Sequence, residues 1–202
     1  MITIFKHKYD VKSFLKRKTP KIDDHFGVYF ICGRQGSGKT YEAVRLANSL
    51  KTDGKIYTNI NSLKLEHKYF ATLKEIVNNV ENDCLFIIDE ISRKYDRNSK
   101  TDTQFYAWLN QSRKRRRIVI LITQEWRELP MWLRRPAKYM FSVNKTLLSR
   151  FGIYKTMVGD AENMIFDKDE GEYLCPPIYY IYHKRNKTIA SLYDNFEPIN
   201  QL

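Results

Sequence analysis

Acidic side chains are scarce in this sequence. Asp and Glu total 23 against 35 Lys and Arg, a formal net charge of +12 over 202 residues. A field of that sign disfavours cationic partners and attracts polyanions, which means nucleic acid or an anionic membrane surface. Cysteine is nearly absent. Cys32, Cys84 and Cys175 are too far apart for metal-ligand spacing and too few for a disulfide framework. Cys32 and Cys84 lie in apolar runs, where a free thiol serves as a small core residue. The four histidines, His7, His25, His67 and His183, show no ligand spacing either and read as structural or surface residues. No apolar run is long enough to cross a bilayer, and no cleavable signal pattern opens the chain, so a soluble protein of a reducing compartment is expected. Low-complexity linkers and internal repeats are also missing. With 43% hydrophobic and 29% charged residues, wholesale disorder is excluded, and the length suits one domain with a substantial core.

Short apolar runs alternate with helical patterns. GVYFICG (27–33) reads as a buried strand stopped by glycine, and KTYEAVRLANSL (39–50) places Val44, Ala47 and Leu50 at helical spacing. KIYTNI (55–60) reads as a second strand, 70–80 as an amphipathic helix and CLFIIDE (84–90) as an unbroken apolar strand ending in two carboxylates. A helix is expected over 102–114, then a second unbroken strand, IVILIT (118–123). A short helix over 126–135, interrupted by Pro130 and closed by Pro136, precedes a further strand at 138–144. The Tyr- and Ile-rich segment 151–182 suggests strands or a hairpin at the sheet edge. Continuous apolar strands separated by helices indicate an α/β fold, a mostly parallel sheet covered by helices on both faces. Residues 1–25 form a basic arm or helix, and 26–202 the main domain with a C-terminal tail.

Gly33-Arg34-Gln35-Gly36-Ser37-Gly38-Lys39-Thr40 satisfies GxxxxGKT in full, with a strand before it and a helix pattern through Tyr41 after it. The glycines let backbone N–H groups curl around a β-phosphate, Lys39 reaches the β- and γ-phosphates, and the Thr40 hydroxyl ligates Mg2+. Asp89, at the end of a buried strand, supplies the second Mg2+ anchor, and Glu90 can polarise a water for attack on the γ-phosphate. A tandem Asp-Glu favours hydrolysis over transfer to a small metabolite. No NKxD-like guanine signature is present, so ATP is favoured over GTP.

The interval between the P-loop and Asp89 leaves room for KIYTNI and a helix. This layout resembles the P-loop NTPases with an additional strand between the P-loop strand and the Asp-Glu strand. That place falls to IVILIT, which brings Gln124 to the carboxyl edge of the sheet as a γ-phosphate sensor. Five consecutive cations, Arg113 to Arg117, run straight into this strand from its other end. A helix terminus accounts for one or two of them. The rest suggest a nucleotide across a subunit interface, or a DNA backbone contacted without regard to base sequence.

Together, GRQGSGKTY (33–41), FIIDE (86–90), FYAWLNQSRKRRR (105–117), ILITQ (120–124), the pair Arg134 and Arg135, and the terminal YDNFE (193–197) resemble the FtsK–HerA superfamily of DNA-pumping ATPases. The likeness is to viral genome-packaging ATPases and to Zot-like assembly ATPases of filamentous phages. With no bilayer-spanning run after the ATPase core, the packaging group is the nearer one. The resemblance implies an ATP-hydrolysing DNA translocase that packages a viral genome. It also implies a homo-oligomeric ring, usually a hexamer, ATP and Mg2+ as ligands, a capsid or portal vertex partner, and the infected host's cytoplasm or the virion as location. Lys39, Glu90 and Gln124 would then be catalytic, with Arg113, or else Arg134 or Arg135, acting in trans on the neighbour's phosphoryl group. Lys114, Arg115, Arg116 and Arg117 would face DNA. A Zot-like assembly ATPase, a small P-loop phosphotransferase and a nucleotide-dependent assembly switch without motor activity are the competing readings.

Overall fold

The computed structural model describes residues 26–50, 54–79, 81–145 and 147–194. The basic segment 1–25 and the last three residues of the YDNFE motif lie outside the described residues. The strands are β1 (Gly27–Cys32), β2 (Ile56–Thr58), β3 (Lys68–Tyr69), β4 (Leu85–Ile88), β5 (Ile118–Thr123), β6 (Ala137–Asn144), β7 (Ile153–Asp160), β8 (Ile165–Asp167), β9 (Glu172–Leu174) and β10 (Pro177–Lys184). The helices are α1 (Lys39–Ser49), α2 (Leu73–Val77), α3 (Thr103–Asn110), α4 (Met131–Arg134) and α5 (Lys187–Ala190).

Eight strands form one sheet in the order β10-β7-β6-β1-β5-β4-β2-β3, and β8 and β9 form a separate ribbon. From β6 to β3 all pairings are parallel, whereas β7 and β10 add an antiparallel pair at one edge. This is the α/β P-loop NTPase fold. The apolar segment IVILIT lies between the P-loop strand β1 and the Asp-Glu strand β4, as its sequence suggests.

Every residue of β1, β4 and β5 is buried, because both faces of the sheet are covered. The alternation along β1 shows this. Tyr29 and Ile31 pack with Val44 and Ala47 of α1, whereas Val28 and Phe30 pack with Leu73 of α2, Phe105 and Trp108 of α3 and Leu133 of α4. Each fully buried Ile or Phe in these layers contributes about 1.5–3 kcal/mol.

Two helices are shorter than their patterns suggest. α2 starts at a capping box, in which Glu75 reciprocates Thr72, and ends at Asn78. α3 begins where Asp102 accepts the Phe105 N–H at 3.0 Å and stops at Asn110. The chain then turns through 111–116 with Arg116 at φ 54, and the Arg117 N–H donates to the Ser112 carbonyl at 2.8 Å. That tight turn delivers the chain into β5.

Candidate nucleotide site

β1 ends at Gly33, whose N–H donates to the Gln124 carbonyl at 3.1 Å, so the P-loop leaves the sheet beside the end of β5. The loop needs its glycines. Gly33 lies at φ +154, and a methyl group there would sit 2.4 Å from the Val143 carbonyl oxygen and 2.6 Å from Ser37 Oγ. Gly38 at φ +98 forms the N-cap of α1, where the first helical N–H groups face the loop without intrahelical partners. Such a helix start is an anion site by construction. Lys39 Nζ lies over the same loop, donating to the Arg34 carbonyl at 3.3 Å. Its pKa is lowered by burial, against the attraction of Asp89 and Glu90.

The Thr40 hydroxyl donates to Asp89 Oδ2 at 3.0 Å. A hydroxyl and a carboxylate held side by side at a phosphate cradle suit a hard cation that takes its other ligands from phosphate and water, as Mg2+ does. Among the described residues no cluster of three or more His, Cys, Asp or Glu offers an all-protein metal cage. Burial pushes the Asp89 carboxyl up to about 6, against the hydrogen bonds from Thr40 and the Glu90 N–H.

Asn59, which the sequence motifs do not single out, holds Asp89 in place. Its Nδ2 donates to the Asp89 carbonyl at 3.0 Å and its Oδ1 accepts the Asp89 N–H at 2.8 Å. Asn59 follows β2, and β2 pairs with β4 through Thr58 and Ile87, so the amide meets the backbone just beyond the strand. Its only signal is a polar residue ending an apolar strand, and that acquires meaning only once the strand order is known. Next in sequence, Glu90 takes the left-handed conformation at φ 56, ψ 42 and pairs with Arg93. A cleft of about 480 Å³ opens between the segments that follow Glu90 and Gln124, lined by Asp96, Glu125 and Glu128 with Arg97 and Arg127.

Lys39, Thr40, Asp89, Glu90 and Gln124 therefore share the carboxyl edge of the sheet, and Gln124 is exposed there. Tyr41 contributes differently from its sequence reading. Its ring is buried in a cluster with those of Tyr154 and His183, and its hydroxyl accepts the Asn186 N–H at 2.8 Å. It anchors α1 to the edge strands, so only its backbone belongs to the phosphate loop.

The basic run divides. Arg113, at the opposite end of β5 from Gln124, pairs with Glu162 at 3.2 Å, and Arg116 pairs with Asp83 at 2.6 Å. Lys114 and Arg116 are exposed and Arg115 partly so. Arg117 corrects its reading as a DNA contact. It is 1% exposed, it donates to the Glu81 and Asn79 carbonyls at 2.8 and 2.6 Å, and its guanidinium lies over Trp108. It is a core residue that closes the loop before β4. Arg134 is also buried, over the Trp126 ring, whereas Arg135 is exposed. Burial ill suits Arg134 to the trans role that the resemblance implies, whereas Arg113 and Arg135 are exposed.

Comparisons agree with this geometry. A family model, ATPase family associated with various cellular activities (AAA), matches residues 29–147. Among curated proteins none matches. The fold is similar to the N-terminal domain of zonular occludens toxin from Neisseria meningitidis, at TM-score 0.62 and 20% identity over 83% of this chain and 98% of that one. It is also similar to the genome-packaging NTPase B204 of Sulfolobus turreted icosahedral virus 2 in complex with sulfate, at TM-score 0.52 and 13% identity over 75% and 96% of the two chains. These are the two groups that the sequence motifs resemble. A P-loop, a buried Asp89 beside Thr40 and a matched family model over more than half the chain lead to one statement: the protein belongs to the ATPase family associated with various cellular activities.

Proposed function

We propose that this ATPase hydrolyses ATP to drive DNA movement during viral genome packaging. The observation that carries the reading is the convergence of Lys39, Thr40, Asp89, Glu90 and Gln124 on one sheet edge, with Thr40 bonded to Asp89. Lys39 and the loop amides hold the phosphates, and Thr40 and Asp89 are the residues to hold Mg2+. When bound, Mg2+ neutralises charge on the β- and γ-oxygens. Glu90 orients the attacking water and takes its proton once the Arg93 pair has opened, while Gln124 holds the γ-phosphate side. A cation from a neighbouring subunit, Arg113 or Arg135, enters the acidic cleft beside Glu90 and stabilises the charge that develops on the transferring group.

Support for DNA as the cargo comes from the net charge and from the exposed Lys114–Arg116 turn on the edge opposite the nucleotide. The likeness to B204, a genome-packaging NTPase, supports packaging as the context. The test measures ATP turnover with plasmid DNA, with single-stranded DNA and without DNA, across protein concentrations and at two salt concentrations. The reading predicts stimulation by DNA that salt weakens, and a rate per subunit that rises with protein concentration. Turnover indifferent to both would sink it, and a rise with a small acceptor would favour a phosphotransferase. Glu90→Gln should keep ATP binding and lose at least 100-fold in turnover, in line with the roughly 10²–10⁴-fold contribution of a general base. A pure switch would show negligible turnover before the substitution.

A further inference from the structure

The site described so far accounts for the phosphate end of a nucleotide and leaves the nucleoside end unassigned. Its direction follows from the strand order. Thr40 and Asp89, the residues that would hold Mg2+ and with it the γ-phosphate, lie on the β5–β4 side of the P-loop. The nucleoside must leave on the other side, where β6 and β7 flank β1. Lys145, after β6, and Tyr154, in β7, stand there against the loop. A methyl group on Gly36 would lie 3.3 Å from Lys145 Nζ, and one on Gly38 would lie 3.4 Å from Tyr154 Cε1. The connection to β7 ends at Gly152, φ +73, whose carbonyl accepts the Arg185 N–H at 2.7 Å.

One residue before Gly152 stands Phe151, 73% exposed and the most exposed large apolar side chain among the described residues. An exposed aromatic ring in the connection that touches the phosphate loop through Lys145 and Tyr154, with the exposed Arg150 and Arg185 near it in the chain and across Gly152, presents a π-face and cationic neighbours to an anionic nucleotide. We infer that Phe151 and Lys145 form the nucleoside subsite, with Phe151 as the platform on which the base stacks and Lys145 as a second cation over the phosphates. This rests on nucleotide binding at the P-loop and not on DNA movement.

The experiment compares dissociation constants for ATP and for inorganic tripolyphosphate, each with Mg2+, by calorimetry on the full chain. Base–aromatic stacking of the usual strength corresponds to about a tenfold effect. Phe151→Ala should therefore weaken ATP about tenfold and leave tripolyphosphate within twofold, and Phe151→Trp should restore ATP binding. Lys145→Ala should weaken both ligands. The inference is overturned if Phe151→Ala leaves ATP binding unchanged, or if it weakens ATP and tripolyphosphate alike. Binding is read directly, so failure of the DNA-stimulation test leaves this result standing, and the converse holds too.

Discussion

Asp89 is a carboxylate kept where ionisation is costly. Its pKa of about 6 lies above its ordinary 3.8 because burial outweighs the hydrogen bonds from Thr40 and Glu90. For a raised carboxyl the sign is fixed. Below 3.8 the group is protonated in both states and costs nothing. As pH climbs through the window from 3.8 to 6, the unfolded chain releases a proton that the folded one retains, and stability falls. Above that window the ionised group carries a fixed cost of about 3 kcal/mol at most. Asp89→Asn should therefore raise the melting temperature of the ligand-free protein at pH 8 and change it little at pH 4. In the parent protein, stabilisation by Mg2+ with nucleotide should fade as pH drops through about 6, because a protonated Asp89 ligates poorly. Thermal melts across pH, with and without ligand, check both. A flat response would show that Asp89 does not face the metal. This residue and the P-loop are legible in the sequence because their chemistry is local: closely spaced glycines, a Lys-Thr pair and a carboxylate closing an apolar strand. Asn59 is not, since its meaning depends on a strand 30 residues away pairing beside its own. Replacing it with Ala would leave the Asp89 N–H and carbonyl buried without partners. That change should cost about 2–4 kcal/mol in chemical denaturation and depress turnover.

Among the elements, the turn between α3 and β5 separates solvated charge from structural charge. Five consecutive cations read as a helix end and an interface or DNA contact, and sequence offers no way to single out the fourth arginine of the run. The structure does so because the left-handed Arg116 reverses the chain, turning Arg117 inward to the Asn79 and Glu81 carbonyls. Burial lowers its pKa, yet guanidinium is basic enough to stay charged. Arg117→Ala would strand two carbonyls and open a cavity beside Trp108, an expected loss of about 3 kcal/mol or more. Substituting Lys114 should change stability by less than about 0.5 kcal/mol, and a DNA-binding assay should register it instead. If the two substitutions behave alike in urea titration, the division is wrong. Helix lengths were also only partly legible. The apolar pattern over 70–80 continues past the point where α2 ends, while the helix itself buries Leu73 and Ile76 and packs Val77 against the same core.

For the whole molecule, the centre of the sheet is legible in the sequence because β1, β4 and β5 are uninterrupted apolar runs bounded by motifs, whereas the exposed two-residue β3 is not. Nor is the distribution of charge. Residues 160–172 hold six carboxylates and one lysine, in a chain of net charge +12. In the fold, the β8–β9 ribbon and its flank place Glu162 against Arg113, Glu170 against Arg127 and Glu172 against Arg97. Several arginines that look available along the chain are thereby paired, and the exposed Lys114–Arg116 turn, where Arg116 itself pairs with Asp83, is a basic feature of the described residues opposite the nucleotide edge. A neighbouring copy that brings Arg113 or Arg135 to the acidic cleft would complete each ATP site. The central claim is that hydrolysis at this site moves DNA. It is tested most directly by displacement of a triplex-forming strand from duplex DNA, with a parallel streptavidin-displacement arm on single-stranded DNA. The account predicts displacement that requires hydrolysable ATP and disappears with Glu90→Gln. Full ATP turnover in the presence of either DNA with no displacement at any protein concentration would contradict it.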